Sequence, residues 1–274
     1  LVFALPMCFC LRTPKPSQPA KMSTFVVTGA SSGLGLELTR QLAARGDKVY
    51  ATVRKPSSSA SGVDSISEIA ATGDVKIIEG IDMTDDNVGA ALAKALEGVT
   101  IDCLIHNAGS VNGTREVGGD DIFAEQKLPK ISMDRMRAAF EVNTLGPLKM
   151  TQALVSQMKS PGGKIAIMST GMGSIGDNSS GGIYAYRCSK AAVNMVAKSL
   201  SCDLKEQGIC VTAIAPGFFV TEFGPGLESM TKMGGAKVED GVKGCLDVID
   251  AMSMENTGSF MRGNYGKGPI PMEW

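Results

Sequence analysis

Short apolar runs alternate with helical stretches along the chain from Ser23 onward. The runs are rich in β-branched residues, which is typical of buried strands. They predict strands at 24–28, 48–53, 75–78, 101–105, 164–168, 209–215 and 258–261. Apolar strands that alternate with helices indicate a parallel sheet covered by helices on both faces. We therefore predict an α/β fold: a single Rossmann-type domain over residues 22–274, with a doubly wound sheet of about seven parallel strands.

Helical periodicity fills the intervals between these strands. Leu34, Leu38 and Leu42 recur at helical spacing, and Gly46 follows as a stop signal. Pro147 lies inside a predicted helix and should kink it. The predicted helices after the first cover about 85–96, 132–158, 184–206 and 238–252.

Two segments are too polar or too rich in glycine to belong to the core. They are residues 110–130 and 223–235. The second follows the sixth strand directly, where a mobile lid over a ligand could lie. Substrate selection is expected to depend on both segments, because loops carried by a rigid scaffold usually shape a binding site.

The first 21 residues do not follow the alternating pattern. Residues 1–10 are apolar, and residues 11–21 are rich in proline, lysine and serine. An apolar run of this length is shorter than the roughly 20 residues that cross a bilayer. The stretch is either the remnant of a targeting peptide or upstream sequence joined to a protein that starts at Met22. In both cases we expect it to be disordered and to lie outside the fold.

Composition excludes several classes of function. The net charge is −1 and aromatic residues make up 5%, so neither charge nor stacking surface indicates nucleic acid or an anionic membrane as a partner. Seven cysteines without a Cys-x-x-Cys pair, together with one histidine, argue against a metal site. The unpaired thiols indicate a reducing compartment, the cytoplasm, or an organelle if residues 1–21 are a targeting remnant. His106 ends an apolar strand, where a structural role is expected.

A glycine-rich turn, Thr28-Gly-Ala-Ser-Ser-Gly-Leu-Gly35, connects the first strand to the first helix. Gly29 permits the tight turn, Gly33 lets the backbone approach a phosphate, and Gly35 allows close packing of helix on sheet. The helix N-terminus then presents N–H groups to an anion. The turn therefore predicts a dinucleotide site that includes Ser31, Ser32 and Leu34. The alternative is a plain strand–helix turn.

Tyr186 and Lys190 lie four residues apart and would share one face of a helix. A free phenol has a pKa of about 10, too high for efficient proton transfer near neutrality. An adjacent ammonium favours the phenolate and lowers that pKa. The pair is therefore a candidate general acid, although exposed helices also carry this spacing by chance.

These motifs occur together with three others in one order along the chain. The set is Thr28-Gly-x-x-x-Gly-x-Gly35, Asn107-Ala-Gly109, Asn143, Tyr186-x-x-x-Lys190 and Pro216-Gly217. In order and distance it resembles the short-chain dehydrogenase/reductase family, over essentially residues 23–274. The segments 173–190 and 258–274 further resemble its C-factor-like branch, which includes carbonyl reductases. Met272-Glu273 between Pro271 and Trp274 departs from that branch.

The resemblance implies a role for each matched residue. Tyr186 would act as general acid toward a carbonyl, and Lys190 would lower its pKa and bind the nicotinamide ribose. Asn143 would hold a water that links Lys190 to solvent. The remaining matched residues would contact the cofactor: Asp82 and Met83 at the adenine, Asn107, Ala108 and Gly109 beneath it, and Pro216, Gly217 and Thr221 at the nicotinamide and phosphates.

The residue that would hold the substrate oxygen stays open between two hydroxyls. The family uses the second serine of a pair after the fifth strand, and the chain has Ser169-Thr170 there. By register the role falls on Thr170, but Ser169 could take it. The stretch from there to Tyr186 is longer than usual because residues 176–182 are inserted, so spacing does not decide between them.

The end of the second strand, Thr52-Val53-Arg54-Lys55, bears on the choice of cofactor. An NAD enzyme usually places a carboxylate here for the ribose hydroxyls, and this chain has none. Arg54 can pair with a 2′-phosphate bidentately, which predicts NADPH. The alternative is that Arg54 is a solvated strand end.

We therefore expect an NADPH-dependent oxidoreductase that transfers hydride to an aldehyde, ketone or quinone. The alternative from another class is a cofactor-binding signalling or scaffold protein with little turnover. The resemblance also implies a homodimer or homotetramer. We expect no nucleic acid partner and no membrane span.

Overall fold

The computed structural model describes residues 22–55, 65–111, 126–264 and 266–274. The expectations for residues 1–21, and for most of the segment 110–130, fall outside the described residues and stay predictions.

Within the described ranges, eight strands form a single sheet in the order β3-β2-β1-β4-β5-β6-β7-β8. The strands are β1 (Thr24–Val27), β2 (Lys48–Thr52), β3 (Val75–Ile78), β4 (Cys103–His106), β5 (Lys164–Met168), β6 (Cys210–Ala215), β7 (Ser259–Arg262) and β8 (Ile270–Pro271). Strands β1 to β7 pair in parallel, whereas β8 runs antiparallel to β7. The seven predicted parallel strands are confirmed, and β8 was not predicted.

Helices cover both faces of the sheet. They are α1 (Gly33–Ala44), α2 (Ile66–Thr72), α3 (Val88–Ala95), α4 (Met133–Phe140), α5 (Gly146–Leu154), α6 (Tyr184–Asp203), α7 (Leu227–Lys232) and α8 (Val238–Ala251). Apolar side chains of α1, α2 and α8 form one core, and those of α3, α5 and α6 form the other.

The period-two alternation of the strands explains the two cores. Phe25 and Val27 of β1 point into the core beneath α1, whereas Val26 points into the core beneath α5. All three are buried. Because successive strand side chains point to opposite faces, a strand covered on both faces is apolar throughout. The strands are therefore continuously apolar in the sequence because the sheet lies between two layers of helices.

Two short helices were missed by the periodicity. Helix α2 is held by a reciprocal cap in which Ser65 accepts from the Glu68 backbone and Glu68 accepts from the Ser65 backbone, at 3.3 and 2.6 Å. Helix α7 lies inside residues 223–235, the segment interpreted as an irregular lid. Both helices are shorter than two and a half turns, too short for a periodic pattern to stand out.

The predicted helix over 132–158 forms in four pieces, the last of which is a 3-10 turn over Val155–Gln157. Ser132 caps α4 by accepting from the Arg135 backbone at 3.3 Å, as expected. A π-helical segment, Glu141–Leu145, then joins α4 to α5, and Pro147 is the second residue of α5. Pro147 has no N–H to give to the carbonyl of Asn143, four residues earlier, so the helix widens just before it. The expected kink is thus a π segment that carries Asn143.

No helix of the described residues is both long and apolar enough to span a bilayer. The cellular location stays a prediction.

His106 lies at the end of β4 and is 2% exposed. Its Nε2 atom lies 2.8 Å from the Thr151 hydroxyl of α5, and its Nδ1 atom has no hydrogen-bond partner among the described residues. Burial lowers the pKa of His106 to about 3, so the ring is neutral in the folded protein. These contacts fit the structural role expected from the sequence.

Gly89 of α3 marks the closest approach of α3 to α5. A Cβ at this position would lie 2.8 Å from both the Ala153 Cβ and the Lys149 carbonyl oxygen. Gly89→Ala gains about 1 kcal/mol of helix propensity but forces the helices apart, which costs about 1–3 kcal/mol. We expect a net loss of stability in urea unfolding at unchanged m-value. Ala91→Ser, on the exposed side of the same helix, should change stability by less than about 0.5 kcal/mol. A Gly89→Ala protein more stable than wild type would contradict this prediction. It would show that α3 and α5 can move apart at little cost in free energy.

Burial of His106 also predicts a pH dependence of stability. Its folded pKa of about 3 lies below the value of roughly 6.5 expected in the unfolded chain. The stabilising contribution is therefore complete above about pH 6.5, and it is lost as the pH falls toward the folded pKa. The slope approaches about 1.4 kcal/mol per pH unit. Urea unfolding midpoints between about pH 5 and 7, a range around the ordinary histidine pKa, measure this slope. Since the chain has one histidine, His106→Gln should flatten this part of the curve. Equal slopes in both proteins would rule out His106 as the cause.

Candidate active site

A cavity of about 630 Å³ opens at the carboxyl ends of the strands, beside β1 and β4. The chain leaves β1 through α1 toward one face and leaves β4 through α4 and α5 toward the other. This divergence is the point at which ligands bind in open parallel sheets. The volume is sufficient for a cofactor-sized ligand.

The glycine turn and the segment after β4 form the floor of the cavity in close contact. A Cβ at Gly35 would lie 2.3 Å from the Gly29 carbonyl oxygen and 2.4 Å from the Asn107 Nδ2 atom. Gly29 has a φ of 68°, and a Cβ there would lie 2.8 Å from the Ala108 Cα atom. Only glycine permits this approach at either position.

Hydrogen bonds of Thr28 connect the glycine turn to the segment after β4. Its hydroxyl accepts hydrogen bonds from the backbone N–H groups of Asn107 and Ala108 at 2.9 and 3.0 Å. The Asn107 side chain donates in return to the carbonyls of Thr28 and Gly29 at 3.0 and 3.2 Å. The role of Thr28 was not predicted, although it begins the glycine motif.

The first turn of α1 is suited to an anionic group. Ser32 makes no capping hydrogen bond through its side chain, and the first turn carries no acidic residue. The first N–H groups of α1 therefore remain available to a ligand beside Gly33, and the helix dipole favours negative charge there. These residues fit the pyrophosphate of a dinucleotide.

With one exception, the residues predicted for the site line this cavity. The cavity-lining members are Gly29, Ser31, Ser32, Gly33, Leu34, Gly35, Arg54, Asp82, Met83, Asn107, Ala108, Gly109, Ser169, Thr170, Tyr186, Lys190, Pro216, Gly217 and Thr221. Asn143 lies just behind the wall and is 1% exposed.

Helix α6 brings Tyr186 and Lys190 to the cavity. The Lys190 Nζ atom lies 5.8 Å from the centre of the Tyr186 ring and donates to the Met168 carbonyl at 2.8 Å. A Cβ on Gly109 would lie 3.6 Å from the same Nζ atom. The ammonium therefore lies between the catalytic candidate and the segment after β4.

The acidity of Tyr186 departs from the sequence-based expectation. Burial raises the pKa of Tyr186, whereas the sequence pattern predicted that Lys190 would lower it. Burial also lowers the pKa of Lys190 to about 8, because the ammonium loses hydration. At neutral pH the phenol thus keeps its proton and most Lys190 side chains remain charged. A proton donor requires the first property, and electrostatic support for the donor requires the second.

Asn143 is held by three hydrogen bonds. Its Nδ2 atom donates to the Ser110 carbonyl at 2.7 Å and to the Ser189 hydroxyl at 2.9 Å, and its Oδ1 atom accepts from the Ser110 backbone at 2.8 Å. The Ser189 hydroxyl in turn donates to the Tyr186 carbonyl at 2.9 Å. Asn143 therefore couples the segment after β4 to the helix that carries Tyr186. Ser189 was missed, although it follows Tyr186 by three residues on the same helix.

The two hydroxyls after β5 have different surroundings. Ser169 is 3% exposed, and its hydroxyl donates to the Asn194 Oδ1 atom at 2.6 Å. Thr170 is less buried, and its hydroxyl accepts from the Met172 backbone at 3.2 Å. The Thr170 hydroxyl thus keeps its own proton for another acceptor. Asn194 was also missed by the sequence analysis, although it lies one helical turn beyond Lys190.

Arg54 and Asp82 lie at the end of the cavity next to β2 and β3. Their nearest charged atoms are 3.9 Å apart, and both side chains are more than 40% exposed, at 45% and 43%. The Asp82 carboxylate accepts from Thr84 at 3.0 and 2.8 Å. Partial burial opposes ionisation, but the bonds from Thr84 and the charge of Arg54 lower the pKa of Asp82. An exposed pair at this distance is worth about 0–1 kcal/mol, so Arg54 can exchange partners readily.

The segment after β6 covers the opposite side of the cavity. Val220 and Ala236 are joined by a backbone hydrogen bond of 3.0 Å, which closes the base of the segment. The Phe219 ring occupies the space that a side chain on Gly217 or Gly241 would need, with contacts of 2.8 and 2.3 Å to their would-be Cβ atoms. Phe223, beyond this base, lies 5.8 Å from the Tyr186 ring between centres.

Comparisons with known proteins agree with this geometry. The family model described as short chain dehydrogenase matches residues 23–232. A 1-hydroxy-2-glutathionyl-2-methyl-3-butene dehydrogenase of Rhodococcus sp. (strain AD45) is 35% identical over 244 residues, which cover 87% of this chain and 96% of that protein. C-signal of Myxococcus xanthus is 35% identical over 161 residues, or 58% of this chain and 87% of that protein, which supports the resemblance to the C-factor-like branch.

Among solved structures, the NADPH-bound carbonyl reductase from chicken fatty liver superimposes with a TM-score of 0.75 at 27% identity. The match covers 92% of this chain and 99% of that one. The matched family model agrees with two features of the cavity. One is the glycine turn that fits a dinucleotide, and the other is the Tyr186–Lys190 pair. The chain belongs to the short-chain dehydrogenase/reductase family of NAD(P)-dependent oxidoreductases.

Proposed function

We propose that this protein is an NADPH-dependent carbonyl reductase that acts on aldehydes, ketones or quinones, with Tyr186 as the general acid. The observation that carries the proposal is the shared cavity, in which Tyr186, Lys190 and Thr170 face the same space as the glycine turn. When bound, NADPH supplies the hydride that reaches the carbonyl carbon. The protein supplies the proton and the orientation.

In this mechanism the Tyr186 hydroxyl gives its proton to the carbonyl oxygen as that oxygen gains charge. The partly buried phenol stays protonated until this moment, since desolvation raises its pKa. The nearby Lys190 ammonium stabilises the phenolate that remains. The hydrogen bond from Lys190 to the Met168 carbonyl holds the ammonium near the Tyr186 ring. One hydride and one proton together convert the carbonyl to an alcohol.

Thr170 is the better candidate to hold the substrate oxygen. Ser169 uses its proton within the core, on Asn194, whereas Thr170 only accepts within the protein. A hydroxyl that donates to the carbonyl oxygen alongside Tyr186 would polarise the carbonyl bond. We assign this role to Thr170 and a positioning role to Ser169.

Asn143 acts as a positioning residue in this proposal. Its three hydrogen bonds hold the segment after β4 and, through Ser189, the turn of α6 that begins with Tyr186. Its Oδ1 atom accepts one hydrogen bond and keeps a second lone pair, so holding the expected water between Lys190 and solvent stays part of the proposed role.

The preference for NADPH over NADH rests on Arg54. No carboxylate follows β2 directly, and the weak pair with Asp82 leaves the guanidinium able to bind a 2′-phosphate. The chicken carbonyl reductase to which the chain is similar contains NADPH. A charge-assisted bond from Arg54 would therefore favour NADPH.

The competing function, signalling without turnover, is raised by the likeness to C-signal. It requires neither a buried phenol in the cavity nor a hydroxyl beside it. The Rhodococcus relative is named for a hydroxyl compound, so turnover is best assayed in both directions, with NADPH and carbonyls and with NADP⁺ and alcohols.

Replacing Tyr186 tests the chemistry. Tyr186→Phe removes the proton donor but keeps the ring contact with Phe223, so kcat/KM for carbonyl reduction should fall by at least about 100-fold. NADPH oxidation with a carbonyl panel measures it. Tyr184→Phe is the matched control, since Tyr184 does not line the cavity, and it should stay within about twofold of wild type. Equal rates for wild type and Tyr186→Phe would refute the general-acid role, and a wild type without turnover would favour the signalling function.

Replacing Arg54 tests the cofactor preference. Arg54→Ala should weaken NADPH binding by about 10–100-fold, as expected for loss of a charge-assisted bond worth about 1.5–3 kcal/mol. NADH binding should change little. Titration of the intrinsic fluorescence with each cofactor measures both. Lys55→Ala, which removes the next cation along the chain, should leave both affinities unchanged because Lys55 does not line the cavity. Parallel losses for NADPH and NADH in Arg54→Ala would show that Arg54 does not read the 2′-phosphate.

A further inference from the structure

Ile183 adopts a backbone conformation that a β-branched residue rarely takes. Its φ and ψ are 49° and 44°, in the left-handed region. Among the described residues it is the one non-glycine residue with positive φ. Gly181 and Gly182, just before it, have φ values of 60° and 66° without steric cost. The left-handed conformation is unfavourable for isoleucine because the Cβ atom approaches the backbone too closely.

The backbone contacts of Ile183 do not require its side chain. Its N–H donates to the Gln126 carbonyl at 3.1 Å, and its carbonyl accepts from the Arg187 backbone at 3.0 Å to start α6. Glycine or asparagine would make both bonds in the same conformation with less strain. A strained residue that persists beside a binding site points to a role of its side chain.

Ile183 lines the cavity three residues before Tyr186. Met172, Phe218 and Phe223 also line the cavity, and the two phenylalanines are 46% and 39% exposed. Exposed apolar side chains around a concave site are typical of a surface that a ligand covers. Ile183 thus belongs to an apolar wall next to the proton donor.

The apolar wall is fixed relative to Tyr186 by Arg187. The Arg187 guanidinium donates to the Met172 carbonyl at 3.3 Å and to the Ser180 hydroxyl at 2.7 Å. These bonds tie Met172 and, at Ser180, the inserted segment to the first turn of α6. The distance between the wall and the phenol is therefore set by the fold.

The charges around the cavity disfavour an anionic substrate. Among the described lining residues, the charged ones are Arg54, Asp82, Lys190 and Glu222. Arg54 and Asp82 lie at the far end, near β2 and β3, and Lys190 is engaged with Met168. Glu222 adjoins Phe223 and would repel an anionic group there.

We infer that Ile183 is a specificity-determining residue that contacts the apolar group of a carbonyl substrate. This inference rests on the proposed reductase function and deepens it. The strain at Ile183 is retained because the side chain contributes to substrate binding at the wall beside Tyr186.

The experiment compares kcat/KM for two carbonyls, naphthaldehyde as the large apolar substrate and propanal as the small one, with NADPH. In Ile183→Asn the left-handed backbone is tolerated but the apolar contact is lost. The ratio of kcat/KM for naphthaldehyde to that for propanal should fall at least about tenfold, mainly through KM. The melting temperature should stay at or above that of wild type, because the strain is reduced.

Two matched variants separate contact from structure. Ile183→Val keeps the apolar contact and the strain, so the ratio should stay within about threefold of wild type. Ile175→Asn makes the same substitution directly before the inserted segment, at an isoleucine that is 77% exposed and does not line the cavity. It should leave the ratio unchanged.

The outcomes distinguish this inference from the function on which it rests. If wild type oxidises NADPH with neither aldehyde and with none of the ketones and quinones of the carbonyl panel, the reductase proposal fails and the inference falls with it. If wild type turns over and Ile183→Asn keeps the wild-type ratio, the inference alone is wrong. A lowered melting temperature with equal losses for both carbonyls would also overturn it, since that result assigns Ile183 to packing.

Discussion

The structure depends on the close approach of two backbone turns at the ends of β1 and β4. Gly29 and Gly35 permit it, because a Cβ on Gly35 would lie 2.3 Å from the Gly29 carbonyl oxygen. Thr28 holds it through hydrogen bonds to two backbone N–H groups of the other turn. This contact places the N-terminus of α1 at the end of the sheet. The two turns together form the floor of the cavity. The direction of the helix, the position of its free N–H groups and the reach of Lys190 toward Gly109 all follow from it.

The second determinant is the burial of polar groups along α6. Lys190, Ser189 and Asn194 are each less than 5% exposed, and all three find partners within the protein. A buried charge or hydroxyl is tolerated only when it is hydrogen-bonded, so these bonds restrict how the helix can lie against β5 and the segment after β4. On the same helix, partial burial of the phenol raises the pKa of Tyr186. Packing and proton chemistry therefore have one cause at this helix.

The proposed cofactor and substrate sides of the cavity are built in different ways. The cofactor side consists of strand ends, glycines and helix N–H groups, which depend on the regular fold. The substrate side consists of the inserted segment before α6 and the segment after β6, anchored by Arg187 and Phe219. Its apolar side chains, including the strained Ile183, lie on irregular backbone. Such a division allows one scaffold to keep its cofactor while the substrate surface changes.

The sequence by itself determined the order of the strands and of the long helices, the parallel sheet and nearly all of the residues that meet at the cavity. The fold features follow from local periodicity and the glycine turn from its spacing, whereas most site residues follow from the resemblance to a family. The tertiary structure alone decided the antiparallel β8, the π segment around Asn143, the inward bond of Ser169 and the direction of the Tyr186 pKa shift. Each of these depends on neighbours that are distant in the chain, such as Asn194 for Ser169 and Ser110 for Asn143. Burial and hydrogen-bond partners are properties of the packed molecule, and no local pattern encodes them.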